Sequence, residues 1–210
     1  MRKTAMTLVA LLAALLVAAS VAAADSTSSV TISADKLAVV YGKSVTLAGK
    51  ISTPQSGQKV NVLARPFGLS TMNALSTADT AEAGQWSLVT KPTIETTYQA
   101  QWNGATSSTV DVKVRPLITL AAVRFHGRVG TFMTSAIASR EFAGNFVLVQ
   151  RLTAFGPITL KRVFLNGNST ARFSLRFRHR VRTSFRVMMP RISASPGYIA
   201  GFSRVLTVRR

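Results

Sequence analysis

The chain carries one set of landmarks twice. VTIS at Val30 returns as ITLA at Ile118, 88 positions on, and three more stretches return at an interval of 87. GQKVNVL from Gly57 matches GNFVLVQ from Gly144, WSLVT from Trp86 matches FSLRF from Phe173, and YQAQW from Tyr98 matches FRVMM from Phe185. VDVKVRP near the end of the first copy corresponds to the closing VLTVRR after a further seven residues, which PRISASPGY supplies as a longer loop. Repeated matches at one interval restrict the fold to something that about 90 residues can complete and then build again. Residues 30–115 and 116–210 are expected to be two domains, preceded by a short linker at residues 25–29.

Within each copy the apolar residues alternate. SVTLAGKIS places Val45, Leu47 and Gly49 on one face, and QKVNVLA does the same with Val60, Val62 and Ala64. TTYQAQW follows with Tyr98, Ala100 and Trp102, and STVDVKV with Val110, Val112 and Val114. A period of two belongs to strands, whose successive side chains leave opposite faces of a sheet. TPQSG, AEAG, WNGA and LNGN lie between the runs and supply turn chemistry. The expected fold is all-β, each copy a sandwich of about seven antiparallel strands. Trp86, Tyr98, Phe173 and Phe185 occupy matching positions and are the expected core aromatics. Trp102 and Phe155 lack that constraint and are candidates for exposure.

Copies of this size without cysteine resemble bacterial immunoglobulin-like domains, which occur in tandem on exported proteins. LVTKPTIETTY carries the sharpest part of the likeness: a strand, a corner at Pro92, then Tyr98 opening the next strand. It is similar to the tyrosine corner of immunoglobulin and fibronectin type III sandwiches, which implies that the Tyr98 phenol bonds back to nearby backbone. In the second copy Phe185 takes that place, so the ring is kept and the hydroxyl is missing.

ARFSLRFRHRVRTSFRVMMPR, from Ala171 to Arg191, holds seven arginines and no acid. Phe173, Phe177, Val181 and Phe185 form an i, i+4 ladder, so a basic amphipathic helix is one reading. However, the apolar residues from Ala171 to Met189 fall almost without exception on odd positions, while Arg172, Arg176, Arg178, Arg180, Arg182 and Arg186 fall on even ones. The repeat also lays this stretch over a segment containing Pro92. We therefore expect a strand from Ala171 to Phe177, a corner at His179 to Thr183, and a strand from Ser184 to Met189. Arginines two residues apart on a strand stand about 6.6 Å apart, which makes a comb of guanidinium groups that adjacent strands could widen into a patch.

The charge is unevenly divided. Residues 25–116 hold eight Lys/Arg against six Asp/Glu, whereas residues 117–210 hold sixteen against one. The first copy uses six lysines and two arginines, the second one lysine and fifteen arginines, so a uniform coding bias does not account for the difference. MRKTAMTLVALLAALLVAASVAAADS has the charged start, apolar run and Ala-x-Ala site of a secretory signal spanning residues 1–24. An uncleaved anchor is the competing reading. No second apolar run of that kind follows, so no integral membrane domain is expected after cleavage. Without cysteine the chain has no disulfides, thiolate nucleophile or cysteine zinc site, and a packed apolar core must hold it.

The inventory for catalysis is thin. Asp79 and Glu82 are the nearest thing to paired carboxylates and are better explained as a polar turn. His179 with Ser184 or Ser203 lacks an acid to orient a triad. His126 and His179 have no metal-ligand spacing, and neither a metal nor a cofactor is expected. Asn168 begins an Asn-Ser-Thr sequon, though Asn166-Gly167 beside it also makes an ordinary hairpin turn. The expectation is a secreted or cell-surface, non-enzymatic structural or interaction protein with no small-molecule substrate. The alternative is a binder of an envelope polyanion, such as a wall polymer, a polysaccharide or, non-specifically, nucleic acid, using Arg172, Arg176, Arg178, Arg180, Arg182 and Arg186. Another surface protein is the other partner class.

Overall fold

A computed structural model describes residues 28–178 and 182–209. The signal segment at residues 1–24 lies outside the described residues, as do His179, Arg180 and Val181 of the expected corner.

The first copy builds β1 (Ser33–Ala34), β2 (Ala38–Val40), β3 (Val45–Lys50), β4 (Lys59–Pro66), β5 (Asn73–Asp79), β6 (Gln85–Thr90), β7 (Thr96–Trp102), β8 (Ala105–Thr106) and β9 (Val110–Arg115). They form one sheet in the order β1-β3-β6 and another in the order β2-β9-β7-β4-β5, with β8 on β7. The second copy builds β10 (Leu117–His126), β11 (Val129–Ile137), β12 (Phe146–Thr153), β13 (Gly156–Phe164), β14 (Thr170–Arg176), β15 (Arg182–Met189), β16 (Gly201–Phe202) and β17 (Leu206–Arg209). Its sheets are β10-β11-β14 and β13-β12-β15, with β16 and β17 both paired to β15. The chain is thus two tandem immunoglobulin-like β-sandwiches. Their ladders are antiparallel apart from β2 on β9, which is parallel.

The repeat survives as register. Val62 faces Ala100 across β4 and β7, and Val149 faces Val187 across β12 and β15, each 87 residues on. A bulge follows Val62 in the first copy and Val149 in the second. The Ser107 Oγ accepts from the Ala100 amide at 2.9 Å and donates to the Ser108 carbonyl at 2.7 Å. Ser203 does the same with the Val187 amide at 2.9 Å and the Arg204 carbonyl at 2.8 Å. This pair places the extra length of the second copy at nine residues between Val187 and Ser203, two more than the matching of VDVKVRP with VLTVRR implied.

One ladder departs from the interval. Leu47 faces Leu88, but Thr134, 87 residues after Leu47, faces Ala171 rather than Leu175. A slip of four residues is even, so every side chain keeps its face. The packing explains the choice. Trp86 lies opposite Gly49, where a Cβ would come within 2.7 Å of the indole nitrogen. Phe173 instead lies opposite Phe132 and stacks on it at 5.7 Å.

Trp86, Tyr98, Phe173 and Phe185 are all buried. Trp102 is buried too, because Ala105 in the short β8 pairs back onto it, while Phe155 at the β12–β13 turn is exposed. In the second sandwich Phe132 touches the rings of Phe125, Phe173, Phe177 and Phe185, giving a core of five phenylalanines. Burial raises the Tyr98 pKa, partly opposed by hydrogen bonding with the Thr90 and Thr96 side chains. Asn166 closes a turn by accepting from the Asn168 and Thr170 amides, but β13 and β14 belong to different sheets, so the turn is no hairpin.

The nine extra residues form the joint between the sandwiches. They include a single helical turn, α1 (Arg191–Ala194), and a loop that reaches the first sandwich. The Glu95 amide donates to the Gly197 carbonyl at 3.0 Å and the Ile199 amide to the Val114 carbonyl at 2.9 Å. The Tyr198 hydroxyl donates to the Thr93 carbonyl at 2.8 Å, and Arg115 donates to the Ala200 carbonyl. Gly197 has φ +79° and lies so close to Ile94 that a Cβ would sit 2.6 Å from its Cδ1. Only glycine meets both conditions without strain.

Candidate anion-binding face

The arginine stretch forms strands, β14 and β15, ending at Arg176 and resuming at Arg182. They lie in different sheets, so the comb does not continue from one to the other. Phe173 and Phe185 point into the sandwich, which turns Arg172 outward on one face and Arg182 and Arg186 outward on the opposite one. Arg172 stands opposite Met133, and Arg176 opposite Val129. Arg176 and Arg178 line a pocket at one end of the sandwich, and Arg180 lies outside the described residues. The single patch expected from alternation is therefore divided by the crossing between sheets.

A denser arrangement lies on the outer face of the β13-β12-β15 sheet. Val147 and Val163 pair on its inner side, which turns Phe146, Leu148, Arg162 and Phe164 outward. Phe185, Val187 and Met189 on β15 do the same for Arg182, Ser184, Arg186 and Met188. The Arg162 guanidinium sits over the Phe146 ring at 4.4 Å, and that of Arg186 over the Phe202 ring at 4.5 Å. Arg115, from the end of the first sandwich, lies 5.9 Å from the same Phe202 ring. The Arg186 Nε also donates to the buried Gln150 Oε1 at 3.1 Å. At the far end Arg182 and Arg209 are direct cross-strand neighbours, a like-charge pair that disfavours the empty face.

Stacking and the Gln150 bond hold these guanidiniums in place while leaving donors free. A planar fork of N–H groups matches the oxygens of phosphate, sulfate or carboxylate two at a time. The ion pairs among the described residues, Lys36 with Asp35 and Lys59 with Asp79, are both in the first sandwich. The second has Glu141 as its acid, exposed in the β11–β12 connection beside Ser139 and Arg140. Among the described residues nothing of opposite charge therefore neutralises this face. Phe164 is 62% exposed and Phe202 39%, so aromatic surface remains at both margins.

Of the sequence candidates, this face contains Arg182 and Arg186. Arg115, Phe146, Arg162, Phe164, Phe202 and Arg209 were missed. They are distant in sequence, and the alternation of PITLKRVF in β13 was the available signal that its arginine and phenylalanine share a face.

The other candidate chemistry is differently placed. Asp79 pairs with Lys59 at 3.0 Å, and Glu82 opens a short 3-10 turn. Ser203 is committed to backbone, and Ser184 bonds to Thr207 at 2.8 Å. Among the described residues no group of three His, Cys, Asp or Glu is placed to hold a metal ion, and no helix is long and apolar enough to cross a membrane.

No protein-family model and no curated protein matches the chain. Solved structures do superpose on it. A tetra-tandem repeat in the extending region of a large adhesion protein matches at 10% identity and a TM-score of 0.34, covering 87% of this chain and 49% of its own. The present chain thus spans about half the length of that protein. A marsupial T cell receptor matches at 11% and 0.35, covering 86% of this chain and all of its own. Bovine butyrophilin matches at 11% and 0.39, covering 88% and 99%. The fold assignment rests on sheet order and register, since superpositions this loose add no weight.

Proposed function

We propose that the chain is an exported, non-enzymatic interaction protein whose second sandwich binds an anionic polymer on the outer face of β12, β13, β15 and β17. The leader at residues 1–24 would deliver it to the cell surface or beyond, with residues 30–115 and 116–210 as its two modules. One observation carries the reading: Arg162 and Arg186 are stacked on Phe146 and Phe202 with no carboxylate among the described residues of the face to neutralise them. An extended polyanion crossing the strands would meet Arg162, Arg186, and then the Arg182 and Arg209 pair. Because binding releases counterions, its affinity should fall steeply with salt. The ring faces of Phe146 and Phe202 already carry guanidiniums, which favours recognition of anionic groups over stacking of nucleobases.

The test is elution of the intact chain from dextran sulfate and from polygalacturonate across a salt series. Replacing Arg162 and Arg186 with alanine should lower the log–log salt slope by about 1.5, as expected for two lost contacts. Arg172→Ala, on the opposite face, should leave it nearly unchanged. If Arg172→Ala weakens retention as much as either face variant, charge alone is responsible and the site is wrong. If the wild-type chain elutes from both resins at low salt, the protein is a structural module, or one that engages another surface protein.

A further inference from the structure

We propose a second ligand site at the end of the second sandwich, independent of the anion-binding face, that takes a small amphiphilic anion. A cavity of about 160 Å³ opens there, lined by Arg151, Leu160, Leu175, Arg176, Phe177 and Arg178, with Thr183 at its edge. Its residues come from both sheets: Arg151 from β12, Leu160 from β13, Leu175 and Arg176 from β14, and Thr183 from β15. The cavity therefore exists only in the folded sandwich.

The register explains why an arginine is present. Arg151 lies directly opposite Phe185 across β12 and β15. Directly opposed residues share a face, and Phe185 is fully buried, so Arg151 leaves the sheet on its inner side at the mouth of the core. Along β12 it continues the inward alternation of Val147 and Val149, while the register shift in the neighbouring ladder leaves Leu160 of β13 unpaired beside it. The wall is the buried Phe177, whose ring lies 6.3 Å from Phe125 and 6.1 Å from Phe185. Leu175 is half-buried and Leu160 exposed.

Arg151, Arg176 and Arg178 thus line an apolar cavity with no acid among its walls. Clustering like charges beside a low-dielectric core is unfavourable, and a bound anion relieves it. The apolar walls require more than a bare ion. A cavity of about 150 Å³ lined by apolar side chains holds one benzene ring, so the fitting ligand is a phosphate, sulfate or carboxylate head on one ring or a chain of about six carbons. Such a group could arrive as a free metabolite or as the head and first carbons of a membrane lipid, and the volume favours the free form.

Titration of the intact chain with hexyl phosphate tests this, followed by calorimetry and by methyl NMR at Leu160 and Leu175. Saturable binding should shift both leucines, and inorganic phosphate or hexanol should each bind at least about tenfold more weakly, since each lacks one half of the recognition. Arg151→Gln with Arg178→Gln should weaken binding by about tenfold or more. Leu160→Ser, on an exposed strand where folding is little affected, should weaken it several-fold. Arg162→Ala should change nothing, which separates failure of this site from failure of the anion-binding face. Equal binding of inorganic phosphate, or an unchanged Leu160→Ser variant, would overturn the proposal. So would co-sedimentation with phosphatidylglycerol vesicles in the absence of any shift with hexyl phosphate.

Discussion

The outer face of the β4-β5-β7-β9 sheet and that of the β12-β13-β15-β17 sheet are built on one backbone plan and carry opposite chemistry. In the first sandwich the face is polar and balanced. Lys59 pairs with Asp79 at 3.0 Å, the Thr97 hydroxyl donates to Asp111 at 2.6 Å, and that of Thr77 donates to Asn61 at 3.2 Å. The second has Arg162 on Phe146 and Arg186 on Phe202. Inward positions remain alike because alternate residues must fill a shared core. Outward positions are free of that demand, so they are where two copies of one fold can diverge in function. Arginine enrichment in one sandwich alone is then a surface property added to a fold that did not require it.

If this division is correct, the largest effects belong to the inner faces. Phe132→Ala removes a fully buried ring that contacts four others and should destabilise the second sandwich by about 3–5 kcal/mol. Trp86→Ala should do the same to the first. Trp86 and Trp102 are the protein's tryptophans and both lie in the first sandwich, so fluorescence melting follows that sandwich and methyl NMR at Met188 and Met189 follows the other. Loss of both signals together in the Phe132→Ala variant would show that the sandwiches unfold as one body and would break the comparison as drawn.

A matched pair of variants sharpens it. Ser107 and Ser203 are buried and make the same two backbone bonds in their respective sandwiches. Replacing either by alanine strands a buried amide and should cost about 1–3 kcal/mol. Equal costs, read as thermal shifts of each sandwich, would confirm these serines as equivalent positions in the repeat. A cost at only one would mean that the other amide is rescued by water.

Much of the inner structure was legible because it is periodic. Alternation placed Val60, Val62, Tyr98, Phe173 and Phe185 inside, and the interval of 87 matches the pairing of Val62 with Ala100 to that of Val149 with Val187. The four-residue slip between Phe173 and its partner strand was hidden, because an even slip leaves the pattern of faces intact. The proposed binding face was mostly illegible for another reason. Alternation says that Arg182 and Arg172 both point outward, but not that their strands belong to opposite sheets. Nor does it say that Arg162 and Phe146, sixteen residues apart, meet across a hairpin. The clamp formed by PRISASPGY was visible only as extra length, since its partners Thr93 and Glu95 lie in the other sandwich.

The smallest expected effect separates the two cores by a single hydroxyl. Tyr98 and Phe185 are equivalent buried rings, and only Tyr98 can ionise. Burial raises its pKa above the ordinary value of 10.0, against the lesser pull of Thr90 and Thr96. The folded state therefore holds the phenolic proton more tightly than the unfolded chain does. Stability from this group is fully present below pH about 10 and declines as pH rises past it, by at most about 1.4 kcal/mol per pH unit for one proton. The first sandwich, followed by tryptophan fluorescence, should consequently lose stability as pH rises above about 10, and Tyr98→Phe should flatten that dependence. The methyl-detected transition of the second sandwich, with Phe185 at the same place, provides the internal reference. An unchanged alkaline slope in Tyr98→Phe would assign the loss to other groups, leaving the two cores indistinguishable by pH.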